Sequence, residues 1–133
     1  MIALRAERGS TVPLFGGLAF VALLMIALTV ELALVGTEYR QVAAIADASA
    51  EAGAAMVTES SAYGGSIVVD TERAVAEAER LATSLPDTRA TVRVAAEQVC
   101  VTIVGRHQPA TLAFVGVSGV DITVTSCAQP RVG

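Results

Sequence analysis

Residues 13–37 read PLFGGLAFVALLMIALTVELALVGT, and no charged residue occurs from Thr11 to Val30. A bilayer's hydrocarbon core is about 30 Å thick and a helix rises about 1.5 Å per residue, so roughly 20 apolar residues cross it. This stretch has that length. Lipid offers no partners to backbone amides, so the segment is expected to be helical throughout. Glu31 is its one anomaly. Counted from Leu14, it lies roughly 26 Å along the helix, near the far interface, where a carboxylate reaches water at small cost. It reads either as a boundary residue or as a carboxylate kept for a cation or free amino terminus on a neighbouring subunit.

The flanks set an expected orientation. Arg5 and Arg8 precede the span, while Arg40 follows it beside Glu38. The positive-inside rule places leader residues 1–12 in the cytoplasm and residues 38–133 outside, in a single-pass membrane protein. Ser10 or Thr11 is suited to cap the helix, and Pro13 fits its first turn. A cleaved secretory signal is the competing reading, with Ala44-Ile45-Ala46 resembling a cleavage site. The apolar run is longer than the usual stretch of about 7–15 residues, however, and ends well before that triplet. No cysteine near the N-terminus suggests a lipid anchor.

The helical pattern continues past the span. Residues 38–59 contain no proline and only Gly53, and alanine is the best helix former. Val42, Ile45, Ser49, Ala52 and Met56 recur at spacings of three and four. A helix from Pro13 to Glu59 would be roughly 70 Å long, and its outer half must pack on something. The small residues Ala44, Ala48, Ala52 and Ala55 would let a partner helix approach closely, so they are the candidate assembly face. Residues 60–133 form the expected small α+β domain. Ser60–Ser66, with paired glycines, reads as a loop. A second helix is expected from Asp70 or Thr71 to Leu85, burying Val75, Ala78, Leu81 and Leu85, until Pro86-Asp87 ends it.

From there the period changes to two, predicting strands over Ala90–Ala95, Val99–Val104 and Val120–Cys127. The first two would make a hairpin through Ala96-Glu97-Gln98. Val92 and Val94 share one face; Val99, Val101 and Ile103 are inward in the second strand, and Val120, Ile122 and Val124 in the third. Residues 105–119 read as a crossover with a short helix or as a partly exposed apolar loop. Cys100 and Cys127, the two cysteines, then fall on the less apolar face of neighbouring strands. In an oxidising space they are expected to form an intramolecular disulfide.

Composition narrows the function. Aromatic residues make up 4% of the chain, tryptophan is absent and the net charge is −4, which argues against a nucleic-acid surface. His107, the single histidine, lies in an expected loop without a second ligand at metal spacing. Gly16-Gly17 and Gly64-Gly65 do not join a strand to a helix, as a phosphate cradle would. Asp47 and Glu51 share a helix face, as a solvated pair or an inter-subunit contact rather than an acid–base dyad. Neither an enzyme nor a cofactor is indicated.

Arg8-Gly9-Ser10 directly before the span, Pro13-Leu14 at its start, and Arg40-Gln41 leading into AAIADASAEAGAA (residues 43–55) resemble the TadE/TadG-like minor pilins of the bacterial Tad (Flp) pilus assembly system. The resemblance runs from about Arg5 to Met56 and is loose beyond. It implies a pilin-like arrangement of leader, long N-terminal helix and small outer domain, with other pilin-like subunits and the assembly machinery as partners alongside membrane lipid. It also implies cleavage by prepilin peptidase between Gly9 and Ser10. The fifth residue after that cut would be Leu14, where the family pattern has Glu. The expected function is therefore a membrane-anchored, non-enzymatic minor pilin or pseudopilin-like subunit. The alternative is an anchored or secreted small binding domain unrelated to pili, with Leu112–Val117 as its contact surface.

Overall fold

The computed structural model describes residues 11–58, 67–95, 98–110, 113 and 116–130. Helix α1, Thr11–Ala54, is a single 44-residue rod, roughly 66 Å long. Between Pro13 and Val30 its side chains are exposed apart from half-buried Ala27, and Leu14, Phe15 and Leu18 each keep 70% of their surface open. Thr29 and Thr37 return their hydroxyls to the carbonyls of Met25 and Leu34, at 2.7 and 2.8 Å. No side-chain donor of theirs is left facing an apolar surround. The helix is long and apolar enough to cross a membrane.

α1 stops at Ala54, short of the expected Glu59. The chain tightens there, with Met56 N–H donating to Gly53 at 3.1 Å, and Val57 then pairs with Val69 in an isolated antiparallel bridge. Thr58 N–H to Val68 (2.9 Å) and Asp70 N–H to Met56 (2.8 Å) complete that pairing. Tertiary partners for the β-branched Val57 and Thr58 outweigh the helix propensity of the alanines before them. The expected loop Ser60–Ser66 lies outside the described residues.

Helix α2, Thr71–Ala82, is capped by Asp70, whose carboxylate accepts the Arg73 N–H at 3.2 Å. Its buried stripe is Ala74, Ala78 and Ala82. Of the expected stripe Ala78 is fully buried, whereas Val75, Leu81 and Leu85 are only half-buried and Ala74 and Ala82 take the inner positions. Only methyl groups fit where α2 meets α1. A Cβ on Gly53 would lie 2.9 Å from Val99 Cγ1, 3.1 Å from the Ala74 carbonyl oxygen and 3.3 Å from Ala78 Cβ. The helix also ends at Ala82 rather than Leu85, with Thr83 bonding back to Glu79, and the turn beyond holds Asp87 at φ 59°.

Strands β1 (Thr88–Ala95), β2 (Gln98–His107) and β3 (Val120–Ala128) form one antiparallel sheet in the order β1-β2-β3. The α+β class, the strand count and the hairpin pairing agree with the alternation in the sequence. Both helices cover one face. The core joins Val42, Ala46, Ala50 and Ala54 of α1, the α2 alanines, fully buried Val99, Val101 and Ile103 of β2, and Ile122 and Val124 of β3. Val120, expected inward, is 43% exposed. It opens an edge strand beyond the cover that Ile122 and Val124 receive. On the outer face Thr102 and Thr125 share a 2.9 Å hydrogen bond, and Cys100 is joined to Cys127.

Candidate functional site

Glu31 and Glu38 stand seven residues apart on α1, two turns along one face. β2 runs three residues past its expected end at Val104, and the alternation that buries Val101 and Ile103 carries on through Gly105 to His107. His107 therefore points inward, at the end of the sheet that lies over Glu31 and Glu38. Its Nδ1 meets Glu38 Oε2, and its Nε2 lies 3.3 Å from Glu31 Oε1. The Ala110 N–H also donates to Glu31 Oε1, at 3.1 Å. Glu31 is 2% exposed and His107 9%.

Such a ring serves two carboxylates fully only when both nitrogens carry protons. The bond to Glu38 raises the His107 pKa above the ordinary 6.5, burial opposes this, and Glu31 adds to the rise. The arrangement is a charged bridge from strand to helix. Its carboxylates flank opposite ring nitrogens, and among the described residues no three His, Cys, Asp or Glu side chains gather to hold a metal ion.

This corrects one expectation. His107 is not a loop histidine but the inward end of a strand. Glu31 meets a ring nitrogen and a backbone amide of its own chain. Two signals in the sequence carried this: the seven-residue spacing of the glutamates, and the parity of His107 with Val101 and Ile103.

The alanines proposed for assembly fall on another side of α1. Ala44, Ala48 and Ala55 are exposed and Ala52 is half-buried, whereas Val42, Ala46, Ser49, Ala50 and Gly53 face the domain. Asp47 accepts a hydrogen bond from Ser126 Oγ, so it is tied to β3 of its own chain. Asp47, Glu51, Gln98 and Ser126 line an open groove of about 820 Å³ beside the disulfide. Gly9 and Ser10 lie outside the described residues. So do Leu112, Phe114 and Val115 of the apolar loop, of which Ala113 forms a 3₁₀ turn.

Comparisons with protein-family models, with curated proteins and with solved structures find no match to this chain.

Proposed function

We propose that this chain is a membrane-anchored, pilin-like structural subunit that takes part in assembling a Tad/Flp-type surface pilus. The observation that carries the reading is the division of labour along α1. Its N-terminal part, Pro13–Val30, offers bare apolar side chains, while Val42–Ala54 forms one wall of a small disulfide-closed domain. A helix that is both anchor and core element is what a helix-packed filament subunit needs. The motif order around Arg8-Gly9-Ser10 and residues 43–55 supplies the link to the TadE/TadG-like family.

In this reading the leader is cytoplasmic and the domain extracytoplasmic. In the same reading, the bonds of Glu31 to His107 and Ala110 bring the domain down to the bilayer surface instead of leaving it above on a stalk. The 18 residues from Pro13 to Val30 cover roughly 27 Å, close to a hydrocarbon core. Other pilin-like subunits pack on α1, prepilin peptidase is a candidate processing enzyme, and the chain itself catalyses nothing.

The test is deletion of the chain in its own cell, followed by complementation. Loss of surface pili, restored by the full chain, together with its crosslinking to pilin-like subunits in the membrane fraction, is the expected result. Unchanged pili and no such crosslinks overturn the reading and leave a binding domain on an anchor.

A further inference from the structure

We propose that the Glu31–His107–Glu38 contact is a proton-operated latch holding the membrane-proximal end of the sheet against α1. The latch lies at the margin of the core. The fully buried part of the hydrophobic cluster begins at Val42 on α1, one turn beyond Glu38, and half-buried Val35 packs against it from between the two glutamates. Below Val42, the two carboxylate bonds of His107 and the Ala110 N–H bond to Glu31 tie the end of β2 and the residues after it to the helix. Opening this end therefore leaves Val99, Val101 and Ile103 packed.

The groups that bear on the ring are few among the described residues. α1 presents Glu31 and Glu38. Opposite His107 on β3 stands apolar Val120. Arg106 sits against Gly119, and with Asp87 of the α2–β1 turn it lines a cavity of about 290 Å³ that Glu38 also borders. β1 sends no described titratable group to the ring.

With the ring charged, each carboxylate has an N–H to accept. Loss of one proton leaves a single N–H between two acceptors, and the cationic ring beside Glu31, which is 2% exposed, is gone. Glu38, whose side chain is 41% exposed, can turn to water; Glu31 regains water only if the strand end lifts. The folded chain holds the His107 proton more tightly than a free histidine does. The latch's contribution is thus complete below about pH 6.5, the free value, and is lost as pH rises through the raised folded value. Acid closes it and alkali opens it.

The experiment is amide hydrogen exchange on the full chain in detergent micelles from pH 5.5 to 9.5, corrected for intrinsic rates. The expected result is loss of protection at Ala110, whose N–H donates to Glu31, in a single-proton step centred above 6.5, with Val99–Ile103 unchanged. His107→Gln removes the step. Glu38→Gln, which keeps the ring and the buried carboxylate, moves its midpoint down. A flat profile in the unaltered chain, an equal step in His107→Gln, an unmoved midpoint in Glu38→Gln, or simultaneous exposure of Val99–Ile103 would each overturn the latch.

Discussion

Cys100 and Cys127 are register partners across β2 and β3, with Cα atoms 4.0 Å apart and their sulfurs joined on the outer face of the sheet. The bridge closes a loop of sequence separation 27. Within it lies the whole passage through His107 and residues 108–119. In the chain-entropy account such a closure is worth about 3–4 kcal/mol. Replacing both cysteines by serine should lower the unfolding free energy of the domain by about that amount, read by denaturant titration in micelles. A loss below about 1 kcal/mol would show that the unfolded loop is already restrained.

Gly53 should refuse even a methyl group. The space is taken by Val99, Ala74 and Ala78, two of the three contacts being with helix α2. Gly53→Ala is expected to cost about 1–3 kcal/mol, despite alanine's better helix propensity. Gly36→Ala is the control, because nothing described lies within 4 Å of a Cβ there. Equal melting temperatures for the two variants would contradict the tight α1–α2 contact.

Ser49 gives a prediction of opposite sign. It is fully buried, and its Oγ has no hydrogen-bond partner among the described residues. Removing a buried, unsatisfied hydroxyl relieves a cost of about 1–3 kcal/mol. Ser49→Ala should raise stability by about 1 kcal/mol, the lower end of that range, because the methyl leaves a small gap. A clear loss of stability would mean that the hydroxyl is satisfied in the membrane-bound chain.

The two alanine faces of α1 allow folding and the proposed assembly to be tested separately. Ala48 is exposed, while Ala50 is fully buried. Ala48→Leu should leave the unfolding midpoint within about 0.5 kcal/mol of the parent, as for other open surface sites, but reduce crosslinking to partner subunits. Ala50→Leu should cost about 1–3 kcal/mol through overpacking. If Ala48→Leu leaves crosslinking intact, this alanine face is not an assembly surface.

The sequence spelled out the elements that repeat and hid those that end. An uncharged run and two-residue alternation made α1, β2 and β3 legible, and the parity of Cys100 and Cys127 was enough to place the disulfide. Val57 and Thr58 left the helix for a partner, Val69, more than ten residues away, which no local pattern announces. The buried face of α2 was set by what α1 could tolerate at Gly53, so alanines went in and the larger Val75 and Leu81 stayed at the margin. The Glu31–His107 contact joins positions 76 residues apart. Its glutamate looked like an imperfection in an apolar run, and its histidine lay past the last obvious strand residue.

Because α1 is unbroken from Thr11 to Ala54, it also fixes an angle. Each residue of a helix advances the chain by about 1.5 Å and turns it by about 100°. The compass bearing of the whole sheet is therefore geared to the residue count between the lower helix and Val42. One extra residue in the stretch 20–30 would swing the disulfide face about 100° around the helix axis while raising it only about 1.5 Å. Four extra residues would bring it back to within about 40°, one turn higher. Anything that packs around the helix meets a surface whose azimuth is written in the exposed apolar part of the rod.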